Sequence, residues 1–247
     1  MNRQDLRHQG ETTLRTLFGT AAQTAGLGHL LTEAAYGGIW SRPGLDLSDR
    51  LLCAIAALGA IPRLKALRRH IAAGLEHGLT AEAIREILVQ ASLYSGFSAA
   101  EETLDLAGEV FAEHSIQFPA DPPEDVPLEE LDRRGAALMA SLHGSRATQG
   151  YAAPGNPVTG ALYPAAIRFG YGEIWFRPGL EHRQRALVAV SAFTALRLPE
   201  QVAKFGQSAL NMGLSKQQVI EAIIQTAPLT GFPPALNALG AISGAFA

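Results

Sequence analysis

Tyr36-Gly-Gly-Ile-Trp-Ser-Arg-Pro-Gly-Leu45, YGGIWSRPGL, returns 135 residues further on as Tyr171 to Leu180, YGEIWFRPGL. Working outward without a gap, Tyr36 to Phe111 aligns with Tyr171 to Phe246. In that frame Trp40, Arg42, Pro43, Gly44, Arg50, Glu86, Gln90 and Gly96 meet Trp175, Arg177, Pro178, Gly179, Arg185, Glu221, Gln225 and Gly231. Register held over that distance marks an internal repeat, and the repeat decides the fold. Upstream the match loosens, LRTLFGTAA at Leu14 against LMASLHGSRA at Leu138, with extra residues in the second copy around 151–158. The boundaries that follow are repeat 1 at 1–117, a linker at 118–127 and repeat 2 at 128–247. The linker, FPADPPEDVP, is proline-dense and acidic, which predicts an exposed, stiff connection.

Punctuation within each copy is helical. Pro-Gly predicts a tight reversal, and Asp46, Ser48 and Glu181 just after it suit helix N-termini, so a helix starts near Leu47. Leu64, Leu67, Ile71 and Leu75 follow the 3.6-residue period to a stop at Gly78, and Thr80 then caps AEAIREILVQASLY. No stretch alternates at period two, so no sheet is expected.

The chain has 247 residues, a formal charge of −3, 47% hydrophobic and 17% charged residues. That composition predicts a compact helical globule with no electrostatic bias toward nucleic acid or anionic lipid. MNRQDLRHQGETT lacks the apolar core of a signal peptide, and the longest apolar run, Leu51 to Ile61, is too short to span a bilayer. The expectation is a cytoplasmic protein without membrane partners. Cys53 is the single cysteine, which removes CxxC-based zinc and dithiol chemistry; its surroundings, LLCAIAALGA, predict a buried thiol with a raised pKa. His70 and His77 are too far apart along a helix to share one ion, and there is no HExxH, GxGxxG, GxxxxGK[ST] or GxSxG, so no metal and no cofactor are expected.

His70 is the sharpest candidate for chemistry. It sits at the margin of the Leu64/Leu67/Ile71/Leu75 stripe, where a partly buried, nearly neutral imidazole can move a proton; the alternative is a surface or boundary histidine with no role. Its counterpart is Phe205, so the copies are not chemically equivalent. Glu86 and Glu221 stand at equivalent positions; a carboxylate there can orient His70, hold a proton, or pair with Arg50 or Arg185 as a structural ion pair, the reading that presence in both copies favours. Arg42 and Arg177 either cap a helix end or bind a substrate carboxylate, and Trp40 and Trp175 either anchor the turn or wall a pocket. Tyr94 faces Leu229 in the second copy, so acid–base groups are expected from repeat 1, with Trp175, Arg177 or the loop at Gly150 to Gly160 as a wall.

YGGIWSRPGL, Asp49-Arg50 leading an alanine-rich helix, His70-x4-Leu75-x2-Gly78-Leu79-Thr80-x-Glu82-x-Ile84-x-Glu86 and Tyr94-x-Gly96-Phe97 together resemble the carboxymuconolactone decarboxylase family, related to the AhpD-type peroxidases. The resemblance covers most of copy 1 and, less completely, copy 2. It implies an all-α subunit, two tandem repeats packed as a pseudo-dimer, assembling into a homo-oligomeric ring, here a trimer of tandem chains forming a pseudo-hexamer. At Gln90 and Gln225 that family often carries histidine; here one imidazole is left in the candidate site.

With a lone cysteine the peroxidase branch is not expected. What fits is cofactor-independent decarboxylation of a small-molecule carboxylate: a carboxylated lactone, a β-keto-type acid or an aromatic acid. In that expectation His70 donates the proton, Glu86 orients it, Tyr94 supports an enolate oxygen, and Arg42, Arg50, Gln90, Trp40, Trp175 and Arg177 bind substrate. An isomerase, dehydratase or cyclase on the same parts, or a non-catalytic small-molecule binder, is the alternative.

Overall fold

The computed structural model describes residues 2–20, 24–120, 125–153 and 155–246. Residues 121–124 of the expected linker, and Pro154 of the expected inserted loop, lie outside them. The first copy comprises α1 (Arg3–Phe18), α2 (Gly28–Leu30) running into a π-helical segment Leu31–Trp40, α3 (Leu47–Ala60), α4 (Leu64–Glu76), α5 (Ala81–Ser95) and α6 (Phe97–Glu113). The second has α7 (Leu128–His143), two 3₁₀ turns (Gly144–Thr148 and Gly150–Ala152), α8 (Tyr163–Ala165), a π-helical segment Ala166–Tyr171 and a 3₁₀ turn Ile174–Phe176. It continues with α9 (His182–Ala195), α10 (Pro199–Asn211), α11 (Lys216–Thr230) and α12 (Phe232–Phe246). The chain is all-α, with no strand among the described residues. Helices α3, α4 and α5 begin and end 135 residues before α9, α10 and α11, so the sequence repeat is a structural repeat.

Capping sets these boundaries. Asp46 Oδ1 accepts from the Asp49 N–H at 2.9 Å to open α3, and Thr80 Oγ1 accepts from Ala83 at 3.0 Å to open α5. Helix α4 closes with the Leu79 N–H returning to the Gly74 carbonyl at 2.9 Å over Gly78 at φ 97°, and Leu214, Ala209 and Gly213 repeat the arrangement after α10.

Helices α3 and α9 pack against each other at the centre. Leu51 to Ala57 are fully buried, and Leu187 to Val190 likewise. An all-round apolar helix belongs in the interior, which is where the longest apolar run of the sequence is used. Each copy also reaches across: α5 packs on α9, and α11 on α3.

The repeated turn has its explanation in that crossing. Gly44 and Gly179 stand at φ 96° and 99°, a region costly for residues with a Cβ. A Cβ on Gly44 would lie 3.0 Å from Gln217 Cγ and 3.3 Å from Glu221 Cγ; one on Gly179 would lie 2.8 Å from Glu82 Cγ and 3.2 Å from Glu86 Cγ. The Arg-Pro-Gly turn of each copy is therefore seated on the glutamate-bearing helix of the other.

Candidate active site

Glu86, Gln90 and Tyr94 recur every four residues and form one stripe of α5. That stripe faces repeat 2, not His70. Arg177 Nε donates to both Glu86 oxygens at 3.1 Å, Arg185 Nη2 to Oε2 at 3.2 Å, and Arg85 Nε to Oε1 at 3.0 Å. The mirror network holds Glu221: Arg42 Nη2 donates at 2.7 Å and Arg50 Nη2 at 3.1 Å. Arg50 and Arg185 also bond the turn carbonyls of Arg42 and Arg177, both at 2.7 Å. Thus Glu86 pairs with Arg185 rather than Arg50, and it is not the group that orients His70. Gln90 donates to the Arg185 carbonyl at 2.8 Å and to Tyr94 Oη at 3.1 Å. The residues expected to bind substrate at Arg42, Arg50, Gln90 and Arg177 are engaged in joining the copies.

Tyr94 is set against Phe193 (ring centroids 4.3 Å) and Phe205 (6.5 Å), and burial pushes its hydroxyl up to about 12. It therefore lies beside the counterpart of His70, not beside His70 itself. Trp175 stacks on Tyr171 at 6.1 Å on the same side of the molecule. Neither Glu86 nor Tyr94 lines the cavity that His70 faces.

That cavity, of about 740 Å³, lies in repeat 1 and is large enough for a small organic ligand. His70 is 3% exposed on its wall. Nδ1 lies 2.8 Å from the Ala66 carbonyl, and since a carbonyl only accepts, Nδ1 carries the proton and Nε2 a lone pair. Nε2 is buried without a hydrogen-bond partner, as is Nε1 of Trp40, whose ring sits 5.7 Å from the imidazole. Burial, helped by the Arg69 charge and opposed by the Ala66 bond, pulls the His70 pKa down to about 4, so the ring is neutral at pH 7.

Phe18 meets His70 edge-on at 5.4 Å and carries the Arg69 guanidinium 4.1 Å above its own ring, while Tyr36 stacks on Trp40 at 5.9 Å. Arg63, Lys65 and Arg69 are exposed at the cavity, and no carboxylate is among the described lining residues. Repeat 2 closes it with Pro228 and Leu229 of α11, not with Trp175, Arg177 or the Gly150 to Gly160 loop.

Phe18, Tyr36, Arg69 and Leu229 escaped the sequence reading. Arg69 had a signal, because its counterpart Lys204 keeps the positive charge beside a position that loses its histidine. Leu229 had none, since the wall it forms belongs to the other copy. Cys53 is fully buried in α3, and burial pushes its thiol up to about 12. No described helix is long and apolar enough to cross a membrane.

The model of the carboxymuconolactone decarboxylase family matches residues 25–109 and 160–243, one match per repeat. A 4-carboxymuconolactone decarboxylase of Acinetobacter baylyi is 36% identical over 88 residues, covering 36% of this chain and 66% of that protein. A nitrosuccinic acid decarboxylase of Metarhizium robertsii is 24% identical over 119 residues, 47% of this chain and 83% of its own length. The chain thus spans just under two thirds of the first relative's length.

Proposed function

Because the chain belongs to the carboxymuconolactone decarboxylase family, we propose that it is a cofactor-independent, decarboxylase-type lyase whose reaction takes place in the repeat 1 cavity. The substrate class is a small carboxylated lactone, a β-keto-type acid or an aromatic acid. What carries the reading is the pair of buried, unpartnered ring nitrogens, His70 Nε2 and Trp40 Nε1, on the wall of a cavity whose charged lining is cationic among the described residues. Unsatisfied buried polar atoms are costly, and a ligand that supplies one acceptor and one proton relieves both. Both relatives named above are decarboxylases.

Arg63, Lys65 and Arg69 draw the carboxylate to the cavity, and the remainder of the substrate packs among Tyr36, Trp40, Leu58 and Leu229. Breaking the bond to the carboxyl carbon releases CO₂ and leaves the electron pair on the adjacent carbon, delocalised into the substrate's own carbonyl. The Trp40 N–H then serves the oxygen that gains charge. One proton per turnover must return to carbon. Resting His70 has none on Nε2, so the sequence-derived role of donor needs a loading step: the negative charge of bound substrate favours the imidazolium, Nε2 takes a solvent proton and passes it on.

A bare Nε2 also favours a second reading, in which the imidazole removes a substrate proton and returns it elsewhere, an isomerisation without CO₂. An assay of CO₂ release across carboxylated lactones, β-keto acids and aromatic acids separates the two. His70→Gln should lower turnover by about 10²–10⁴-fold while helicity is unchanged. Unaltered CO₂ release in that variant would overturn the assignment.

A further inference from the structure

Helix α1 ends Leu17-Phe18-Gly19 and its counterpart α7 ends Leu142-His143-Gly144, with both glycines at positive φ. In repeat 1 the Phe18 ring meets His70 of α4 edge-on at 5.4 Å and 77°; in repeat 2 His143 meets Phe205 of α10 edge-on at 5.1 Å and 80°. The same imidazole–phenyl pair is present in both copies with its members exchanged between the helices. Repeat 2 did not lose its histidine; the imidazole stands on the opposite wall.

A cavity of about 260 Å³ opens beside it, lined by Met139, His143, Arg146, Lys204 and Phe205 and by Gly150 and Ala152 of the Gly150 to Gly160 loop. Its charged lining groups among the described residues are all cationic, as in repeat 1, and Lys204 is the counterpart of Arg69. His143 is held in place: Ser208 spends its hydroxyl proton on the Lys204 carbonyl at 2.9 Å, so His143 Nδ1 donates to Ser208 Oγ at 2.7 Å. Nε2, 3.5 Å from Tyr171 Oη, keeps the lone pair. Arg146 donates to the Lys204 carbonyl and to Ser208 Oγ, each at 3.3 Å, leaving most of its five N–H groups for another acceptor.

We propose that this cavity is a second anion site, taking a small aliphatic dicarboxylate between Arg146 and Lys204 with His143 against it. Its size excludes the larger ligands that the repeat 1 cavity accommodates. Two cations beside a fixed imidazole suit two carboxylates at short spacing, and the Gly150 to Gly160 loop supplies part of the wall. The proposal is independent of the chemistry assigned to His70.

Titrating the full chain with succinate, with the histidine rings followed by NMR, tests it. The His143 signals should shift saturably, and Arg146→Gln/Lys204→Gln should weaken that response at least about tenfold. The two single variants, each altering one partly exposed side chain, should each weaken it less, and His70→Gln should leave it intact. A His143 ring that does not respond to millimolar succinate in the wild type, or that responds equally in the double variant, overturns the site.

Discussion

His70 is neutral because it is buried, and that has a consequence for stability. Its pKa falls from 6.5 to about 4 on folding, so between those values the unfolded chain binds a proton that the folded chain does not. Stability is full above about 6.5, declines as the pH falls, and is lower by about 3 kcal/mol once about 4 is passed. Urea unfolding across that range should show the decline, and His70→Phe should flatten it. A residual slope of the same sign belongs to His143, also lowered to about 4, chiefly by burial, with Arg146 and Lys204 adding to it. Equal slopes in wild type and variant would mean that the imidazole is not buried in solution. At this scale the sequence was informative about exposure: the apolar setting of Cys53 and the stripe margin at His70 both announced burial. It could not reveal which proton His70 keeps, because that depends on the carbonyl of Ala66, a backbone atom that no residue type encodes.

Among the elements, α5 and α11 carry the most consequential contacts. Glu86 gathers Arg85, Arg177 and Arg185, whereas Glu221 gathers Arg42 and Arg50 with Gln217 in support. Both carboxylates are fully buried, so removing either strands cations in the interior. Glu86→Ala and Glu221→Ala should each cost about 3–5 kcal/mol in denaturant unfolding, because the buried Arg185 and Arg50 respectively lose their carboxylate. The NMR signals of His70 should be unchanged in both, since neither carboxylate touches it. A displaced His70 resonance in Glu86→Ala would return Glu86 to the active site. Gly179→Ala should destabilise more than Gly44→Ala: the backbone strain is similar, but the new methyl comes within 2.8 Å of Glu82 Cγ rather than 3.0 Å of Gln217 Cγ. Helix boundaries were legible because Asp46, Gly78 and Thr80 act locally. The π-helical turns were not, and although an ion pair of Glu86 with Arg50 or Arg185 was legible, the choice of Arg185 and the addition of Arg177 were not, since both are fixed by packing between segments distant in sequence.

In the whole molecule, the repeat offset announced two copies but not how they depend on each other. Each copy completes the other: turn 1 seats on α11, turn 2 on α5, and Leu229 of repeat 2 closes the cavity of His70. The linker is then a tether, not the bond that holds the copies together. Introducing a protease site beside Asp125 and cutting the folded chain there should leave a species that elutes like the intact protein and retains the His70 environment. Joining two modules raises their effective concentration to the millimolar range, and an interface formed by α3, α9 and two buried ion networks does not need that help. Arg50→Ala/Arg185→Ala should reverse the result. That variant leaves Glu86 and Glu221 short of their most buried partners, so the cut halves should separate on size-exclusion chromatography although the uncut variant runs as one chain. Separation of the cut wild-type protein would show that covalent linkage, not the crossed turns, keeps the cavity closed.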